Sequence, residues 1–302
     1  MKLIFATRPS ALARWQTAHV IRLLQGAWPG LECSEHIITT TGDRILDRSL
    51  PEIGGKGVFT SELEAALLSG EVDAAVHSLK DLPVEDTAGI VVAAIPERES
   101  AFDVLVSAKG QTFANLPEAS RVGTCSLRRS SQLLARRQDL VILPLRGNVD
   151  TRLRKVMNGE YDAIVLAYAG LARLGLQAHI TETFPLDVML PAPGQGALAV
   201  QCRADDDETI KLLAAIHQPI TAAAVDAERA FLSGLGGGCA LPVGAFAQKN
   251  NGQIILTGAV ISTDGKQAIR LSAVDKDPHE LGERLAGLVL ERGAADLLKI
   301  VA

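Results

Sequence analysis

Short apolar segments alternate with amphipathic segments along the first two-thirds of the chain, and this alternation restricts the possible folds more than any other feature. Apolar segments at 2–6, 35–39, 74–76 and 89–95 have the length of buried strands. Ser10, which follows the first of them, is a favourable helix N-cap. Strands that alternate with helices predict a parallel α/β sheet.

Two helices in this region have recognisable starts. Ser61 and Glu64 have the spacing of a capping box for a helix that ends at Leu68. The helix after Ser10 is expected to bury a face of residues at helical spacing, namely Ala11, Trp15, Ala18 and Ile21.

The alternation starts again after Pro96, and the tail of the chain has a different character. The second α/β region has predicted strands at 104–106, 121–123, 140–143 and 162–167, and helices at 127–137, 149–157 and 170–174. In the tail, Asn251-Gly252 and Asp264-Gly265 are strong hairpin signals between apolar runs. They predict a small α+β domain with antiparallel strands at 243–249, 253–261 and 268–275, followed by a helix at 278–292.

Positive charge is concentrated in one window of an otherwise acidic chain. The 302 residues carry a formal charge of −5, with 22% charged residues. The window from Arg121 to Lys155 contains eight arginines, one lysine and two aspartates, which gives a local charge of +7. Because the guanidinium fork binds carboxylate or phosphate through two parallel hydrogen bonds, this window favours an anionic partner.

Composition excludes several classes of protein. The hydrophobic fraction of 47% is ordinary for a globular chain, and no apolar run reaches the length of a transmembrane helix. The apolar stretch at the N-terminus is too short for a signal peptide. The cysteines, Cys33, Cys125, Cys202 and Cys239, form no CxxC pair, which argues against a zinc site and a disulfide framework. We expect a cytoplasmic protein without a metal, and a monomer.

The segment from Val76 to Pro83, which contains Lys80 and Asp81, directly follows the predicted strand at 74–76. Ligands of open α/β sheets bind at the carboxyl ends of strands, so Asp81 is a candidate general acid or base, or a stabiliser of a cation. A surface Lys–Asp pair that closes a turn is the alternative, and spacing alone slightly favours it. His77 alternates with apolar Val76 and is read as a hydrogen-bonded core residue.

Arginines follow successive strands of the second region. Gly123 to Ser126 offers backbone N–H groups and hydroxyls at a helix start, which is an arrangement that binds anions. Arg128 and Arg129 lie in the first helical turn, where cations oppose the helix dipole unless an anion compensates them. Pairing with acids elsewhere is the alternative. Further arginines at strand ends are Arg146, Arg152 and Arg173.

Cys239 follows the glycine-rich run Gly234 to Gly238. Glycines let a bulky group or a backbone approach closely, and an accessible thiolate is a good nucleophile. The commonest role of a free cysteine, a small buried hydrophobe, is the alternative for Cys239, and it is the interpretation that we favour for the other three cysteines.

Taken in order, these segments resemble the hydroxymethylbilane synthase family of tetrapyrrole biosynthesis. The individual motifs are common, but their ordered set is specific and extends from residue 8 to about residue 244. The matching motifs are Arg8-Pro9-Ser10, Gly54-Gly55-Lys56-Gly57, Val76-His77-Ser78-Leu79-Lys80-Asp81, Gly123-Thr124-Cys125-Ser126-Leu127-Arg128-Arg129, Leu145-Arg146-Gly147-Asn148-Val149, Pro193-Gly194-Gln195-Gly196 and Gly237-Gly238-Cys239.

The resemblance implies a three-domain enzyme. Its first two domains are expected to be α/β domains like those of periplasmic binding proteins, and the third is a small α+β domain with a three-stranded antiparallel sheet. The implied boundaries are 1–97 with 194–217 for the first domain, 98–193 for the second and 218–302 for the third.

The resemblance also implies the chemistry. Cys239 would carry a dipyrromethane cofactor through a thioether, and four porphobilinogen units would be joined to it head to tail with loss of ammonia. Asp81, Lys80 and Arg8 would be catalytic, and residues 43–59, with Lys56 and Phe59, would form a mobile lid. The implied cofactor-binding residues are Cys239, Ser10, Lys80, Asp81, Thr124, Ser126, Arg128, Arg129, Arg146, Asn148, Arg152, Arg173 and Gln195.

The chain departs from the family pattern at two positions, since Cys125 stands where Ser is expected and Ala11 where Pro is expected. Two other functions are consistent with an arginine-rich α/β chain. One is a non-catalytic two-lobed protein that binds small anions reversibly. The other is a nucleic-acid binder, which the net negative charge and the aromatic fraction of 4% disfavour.

Overall fold

The structure is a computed structural model that describes residues 2–44, 57–238 and 241–299. The chain divides into two units, Met1–Glu99 with Ala197–Ala222 (unit 1) and Ser100–Gly196 with Ala223–Ala302 (unit 2). The boundaries of three domains implied by the family resemblance remain a prediction.

Helices and strands alternate through both units. In chain order the elements are β1 Lys2–Thr7, α1 Ala11–Ala27, β2 Glu32–Ile37, α2 Thr41–Arg44, α3 Ser61–Leu68, β3 Ala74–Ser78, β4 Ile90–Ala94, β5 Asp103–Ser107, β6 Arg121–Gly123, α4 Leu127–Arg136, β7 Val141–Leu143, α5 Val149–Met157, β8 Ala163–Ala167, α6 Tyr168–Arg173, β9 Glu182–Thr183, β10 Leu198–Arg203, α7 Asp207–Ala214, α8 Pro219–Gly234, β11 Val243–Asn250, β12 Gln253–Ile261, β13 Ala268–Asp275, α9 Pro278–Glu291 and α10 Ala294–Lys299.

The sheet of unit 1 is mixed, so the prediction of a parallel sheet is wrong in part. Its strand order is β2-β1-β3-β10-β4. β1 runs parallel to β2 and β3, whereas β10 runs antiparallel to both β3 and β4. β10 was not predicted, because it enters the sheet from a distant part of the sequence and no helix connects it to either neighbour.

Helix α1 begins as predicted but buries a different face. The Ser10 hydroxyl accepts a hydrogen bond from the backbone N–H of Ala13, which caps the helix. Of the predicted face, Ala11 is exposed, whereas Trp15, Ala18 and Ile21 are half-buried and Ile21 packs against the core. The buried residues are Ala13, Gln16, Thr17, Val20 and Leu24. The predicted face was chosen by counting apolar residues only, and the buried face includes two polar ones.

Helix α3 begins without the predicted capping box. Thr60 occupies the N-cap position, and the Ser61 hydroxyl donates to the Gly57 carbonyl instead. The Glu64 carboxylate accepts hydrogen bonds from Gln201 and Thr87, so it does not return to the helix start. The prediction failed because Glu64 has partners that are distant in sequence.

The α/β sheet of unit 2 has the strand order β7-β6-β8-β5-β9. β6 is parallel to β7 and β8, while β5 is antiparallel to β8 and β9, so this sheet is also mixed. The predicted strands and helices of this region are confirmed to within two residues at their ends. Helices α4 and α5 lie on the sheet through fully buried side chains such as Leu133 and Val156.

The tail forms the predicted three-stranded antiparallel sheet, β11-β12-β13, which confirms the expected fold class. Phe231 of α8 and Leu285 and Val289 of α9 are fully buried in its core. Burial of each such side chain contributes about 2 kcal/mol. The turn at Gly265 between β12 and β13 lies against α4, where Gln138 donates to the Asp264 carbonyl over 2.9 Å.

Candidate functional site

In unit 1, the turn that carries Asp81 is fixed by its backbone. The turn of 3-10 helix Leu79–Asp81 directly follows β3, and the Leu79 N–H donates to the Ala197 carbonyl over 3.0 Å. The Leu82 N–H donates back to the Leu79 carbonyl. Within this turn Lys80 is half-buried and Asp81 is exposed. The Asp81 carboxylate is therefore accessible from solvent while its backbone is held in place.

Arg8 follows β1 and is held by two side chains. Its Nε and Nη2 donate to the Asp43 carboxylate over 3.1 and 2.5 Å, and the Phe59 ring lies 4.1 Å from its guanidinium carbon. Burial acts to raise the pKa of Asp43, but Arg8 and the hydrogen bonds from Thr40 outweigh it and lower that pKa. Lys56, the other residue named for the lid, lies outside the described residues, as do residues 45–56 generally.

His77 is buried in the core, as predicted. Burial lowers the pKa of the imidazole to about 4, with a contribution from the charge of Arg8 and an opposing one from the Gln201 side chain. His77 is therefore neutral at pH 7, which excludes a role as a cationic ligand for carboxylates.

In unit 2, two predicted hydroxyls shape the start of α4. The Thr124 hydroxyl accepts from the Ser126 N–H over 3.1 Å, and the Ser126 hydroxyl accepts from the Arg129 N–H over 3.4 Å. In both bonds the hydroxyl is the acceptor, so each O–H proton can still be donated to an anion. Cys125 between them is exposed, so the interpretation as a small buried hydrophobe is wrong for this cysteine, which lies in the loop before α4.

Arg128 and Arg129 are buried and share one carboxylate, that of Asp103. Arg128 donates to Asp103 through Nη1 over 2.6 Å, and Arg129 donates to it through Nε over 2.9 Å. Their remaining contacts include the carbonyls of Leu190 and Val165. The sequence left open that these arginines pair with an acidic residue elsewhere in the chain, and this alternative describes their contacts. The three side chains, here called the Asp103 triad, still carry a net charge of +1, and their binding role remains a prediction.

Asp103 and Glu228 are residues of the site region that the sequence did not indicate. Gln195 is fully buried and donates to the Asp103 carboxylate over 3.1 Å. The preceding Gly194 donates its N–H to Glu228 over 2.7 Å, and Ala247 of β11 donates to the other oxygen of that carboxylate. For Asp103 the signal was an acidic residue at the start of an apolar segment, whereas Glu228 lies between Asp226 and Arg229 and carries no such signal.

Arg146 and Asn148 lie in the connection from β7 to α5. The Nη1 of Arg146 is buried and, within the part of the chain that the structure describes, has no hydrogen-bond partner. A donor of this kind is suited to an anion, because hydrogen bonds to charged acceptors are the stronger ones. Asn148 occupies the N-cap position of α5, but its side chain makes no capping hydrogen bond.

Arg152 and Arg173 are both tied to glycine carbonyls. Arg152 Nε donates to Gly147 over 2.6 Å, and Arg173 Nη2 donates to Gly196 over 2.7 Å. Arg173 is buried and Arg152 is half-buried. The structure thus attaches these two arginines to two of the glycine-containing motifs, Leu145–Val149 and Pro193–Gly196.

Cys239 lies outside the described residues. The preceding Gly236, Gly237 and Gly238 all have positive φ values, of 95, 66 and 108°, which favour glycine. Cys202 is buried, and burial raises the pKa of its thiol to about 11, in line with the interpretation as a small hydrophobe. Over residues 2–44, 57–238 and 241–299, no cluster of His, Cys, Asp or Glu suits a metal ion, and no helix is long and apolar enough to span a membrane.

Comparison with known proteins gives matches along almost the whole chain. The model of the porphobilinogen deaminase dipyrromethane cofactor binding domain matches residues 3–211, and the model of the porphobilinogen deaminase C-terminal domain matches residues 222–291. The chain belongs to the porphobilinogen deaminase family. This enzyme is the hydroxymethylbilane synthase that the motifs indicated, and the resemblance is confirmed.

Similar porphobilinogen deaminases occur in several bacteria. That of Brevibacillus brevis is 50% identical over 97% of this chain and 95% of the relative. Those of Moorella thermoacetica and Roseiflexus castenholzii are 49% and 50% identical, each over 98% of this chain and over 95% and 98% of the relatives. These relatives support the enzymatic interpretation and not a non-catalytic anion-binding protein.

Comparison with solved structures gives likenesses with low TM-scores. The VFT2 domain of Bordetella pertussis BvgS, as a double mutant, aligns with 71% of this chain and 86% of its own, at 19% identity and a TM-score of 0.43. A periplasmic binding protein of Salmonella typhimurium with high arginine specificity aligns with 73% and 93%, at 17% identity and a TM-score of 0.38. Both TM-scores are low, and the fold class is assigned from the sheet topology.

The donor set of unit 2 fits the dipyrromethane of the porphobilinogen deaminase family. Each pyrrole ring bears an acetate and a propionate, so the group is a polyanion. Three features are suited to carboxylates: the Nη1 of Arg146, which has no partner among the described residues, the O–H protons of Thr124 and Ser126, and the +1 charge of the Asp103 triad. The residues present therefore fit the group chemically.

Proposed function

We propose that Asp81, Lys80 and Arg8 are the catalytic residues of this porphobilinogen deaminase and that Cys239 carries its dipyrromethane. The enzyme joins four porphobilinogen molecules head to tail, releases one ammonia at each addition, and finally releases hydroxymethylbilane by hydrolysis. The observation that carries the proposal is an accessible carboxylate, that of Asp81, on a turn whose backbone is fixed directly after β3.

Asp81 is suited to the charge that develops during the reaction. Loss of ammonia from the aminomethyl carbon of porphobilinogen leaves a cation that is conjugated with the pyrrole ring. A preorganised carboxylate stabilises such a cation and accepts hydrogen bonds from pyrrole N–H groups. The same carboxylate can transfer protons to and from the reacting groups. Because its backbone is already held, little reorganisation is required at the moment of reaction.

The cationic side chains bind the carboxylates of substrate and product. When bound, the dipyrromethane supplies the pyrrole carbon to which the first substrate unit is joined. Lys80 precedes Asp81 in the chain, and Arg8 follows β1, the strand next to β3 in the sheet. From these positions Arg8 and Lys80 bind the side chains of the incoming unit. The proposed binding residues beyond these are Ser10, Thr124, Ser126, Arg128, Arg129, Arg146, Asn148, Arg152, Arg173 and Gln195.

The remaining properties are proposed from the sequence. We infer a monomer that acts in the cytoplasm. It is proposed not to bind nucleic acid, because the net charge is −5 and few aromatic residues are present for stacking on bases. The chain is further proposed to comprise domains at 1–97 with 194–217, 98–193 and 218–302.

Asp81→Asn is the test of the catalytic assignment. Since Asp81 is exposed, the substitution is expected to change the free energy of unfolding by less than about 0.5 kcal/mol. Turnover of porphobilinogen should fall by about 100-fold or more, because the amide neither stabilises a cation nor transfers a proton. The measurement is kcat of the purified holoenzyme.

Asp86→Asn is the matched control, because Asp86 is also an exposed aspartate in the segment that follows β3. It should retain the kcat of the wild type. An Asp81→Asn enzyme with wild-type kcat would remove Asp81 from the proposed role.

A further inference from the structure

In unit 1, the Asp43 carboxylate binds one edge of the guanidinium of Arg8, a proposed catalytic residue. Arg8 donates to Oδ2 of Asp43 through Nε and to Oδ1 through Nη2, which is the side-on geometry of a bidentate pair. Only about a fifth of the Arg8 side chain and an eighth of the Asp43 side chain are exposed. Asp43 itself is anchored, since its Oδ2 also accepts from the N–H and hydroxyl of Thr40.

A second side chain, that of Phe59, restrains the same guanidinium on its face. The ring centroid lies 4.1 Å from the guanidinium carbon, within the range of a cation–π contact. Gly42 lets this ring lie against α2, because a Cβ at that position would come within 2.1 Å of Phe59. The Gly42 N–H also donates to the Val58 carbonyl over 2.9 Å. Asp43 therefore fixes the direction in which the Arg8 guanidinium points, and Phe59 fixes the plane of the guanidinium.

One end of the guanidinium is not used by the contacts with Asp43. Nη1 of Arg8 makes no hydrogen bond within residues 2–44, 57–238 and 241–299. With Nε and Nη2 occupied by Asp43, the end of the fork that includes Nη1 is directed away from the pair. An orientation fixed in this way costs less conformational entropy when a ligand binds.

We propose that Asp43, supported by Phe59, is a positioning residue that presents the Nη1 end of Arg8 to a carboxylate of porphobilinogen. This inference rests on the proposed function, in which Arg8 binds the substrate. It assigns to Asp43 a part in substrate specificity, since an arginine fixed in one orientation accepts a carboxylate at one place and rejects a neutral group there. Asp43 contacts Arg8 and not the reacting atoms, so it is not a catalytic residue.

A double-mutant cycle between Asp43 and Arg8 tests the proposal. Asp43→Asn keeps the shape of the side chain but loses its charge and turns an N–H group toward Arg8. We expect it to raise KM for porphobilinogen by about 10-fold in the holoenzyme, with a smaller effect on kcat. In an Arg8→Lys background, which lacks the planar fork, the same substitution should change KM less than 2-fold, on the order of measurement error.

Phe59→Leu supplies a second variant in case Asp43→Asn fails to fold. It leaves the Asp43 carboxylate intact and removes the contact with the face of the guanidinium, together with the packing of the ring against Gly42. Its effect on KM should likewise disappear in the Arg8→Lys background.

Glu62→Gln is the matched control. The Glu62 carboxylate holds the same short helix α2, through the N–H and hydroxyl of Thr41 over 2.7 and 2.6 Å, and it makes no hydrogen bond with Arg8. It should lower the melting temperature without a change in KM. Equal KM increases for Glu62→Gln and Asp43→Asn would overturn the proposal, because a structural effect on α2 would then account for both.

The outcomes also separate this inference from the function on which it rests. If Arg8→Lys leaves both KM and kcat unchanged, the role of Arg8 in the proposed function is wrong. If Arg8→Lys is impaired while Asp43→Asn has the KM of the wild type, only the positioning role is wrong. Additive effects of the two substitutions on KM would also refute it.

Discussion

The imidazole of His77 in unit 1 has a pKa far below the ordinary value of a histidine. It is 4% exposed, and it lies in β3 opposite Ala199 of β10. Burial lowers the pKa of its imidazole from 6.5 to about 4. The neutral ring occupies the sheet immediately before the turn that carries Asp81, so its protonation would place a charge in the core beneath that turn.

The stability of the protein should therefore depend on pH through this residue. Between pH 6.5 and 4 the unfolded chain binds a proton at His77 that the folded chain does not, so stability is lost as the pH falls. The shift corresponds to about 3 kcal/mol of unfolding free energy. Urea unfolding at several pH values should show a flatter profile for His77→Gln than for the wild type.

Val76→Ala is the control for this profile, because Val76 is the buried, non-titrating neighbour of His77 in β3. Its unfolding free energy should follow the pH dependence of the wild type. If His77→Gln shows the same pH dependence as the wild type, the loss of stability does not arise from His77.

Single residues also show what a sequence pattern can and cannot predict. The motifs identified Arg128 and Arg129, because their charge and their place at a helix start are local properties. They did not identify Asp103, since its position beside these arginines depends on how β5 enters the sheet. For the same reason, pairing of Arg8 with Asp43 could not be predicted from their spacing of 35 residues.

At the scale of elements, two hairpin turns of the tail differ in their surroundings. Gly252 and Gly265 have similar φ values, of 79 and 73°. A Cβ at Gly252 would meet nothing within 4 Å, whereas one at Gly265 would come within 2.4 Å of the Ala135 backbone nitrogen in α4. The turn at Gly265 thus packs on the helix whose start carries Arg128 and Arg129.

Substitution of these two glycines should separate backbone strain from packing. Gly252→Ala is expected to lower the free energy of unfolding by about 1 kcal/mol, the cost of a positive φ at alanine. Gly265→Ala should lower it by about 3 kcal/mol, because the clash with α4 adds to the same strain. Chemical denaturation of both variants gives the comparison. Equal losses would mean that the turn does not need its close approach to α4.

The elements themselves were largely predictable. The tail was predicted well, because Asn251-Gly252 and Asp264-Gly265 specify both turns and therefore the register of the strands. The buried face of α1 was predicted wrongly, because Gln16 is buried through its hydrogen bond to Ser78, and polar residues are not counted in an apolar pattern. β10 was missed because its neighbours are determined by the sheet and not by the adjacent sequence.

At the scale of the whole molecule, the mass of the purified protein tests the attachment of the cofactor. We expect an excess equal to two condensed pyrrole units on the peptide that contains Cys239. Cys239→Ser should lack this excess, because the hydroxyl is a much weaker nucleophile than the thiolate. Intact mass spectrometry and a peptide map provide the measurement.

Cys125→Ser is the control, because Cys125 is an exposed cysteine of unit 2. It should keep the full excess mass. An adduct mapped to the peptide of Cys125 or Cys33 would contradict the assignment of Cys239.

The position of β10 between β3 and β4 has a consequence for the synthesis of the chain. β3 and β4 are complete roughly 100 residues before Leu198 is made, which at ribosomal speed corresponds to about 5–20 s. During this interval each of the two strands lacks the neighbour that later lies between them, and unpaired strand edges associate with other chains. A nascent chain that stalls in this interval is thus the form of the protein most exposed to aggregation and most dependent on chaperones.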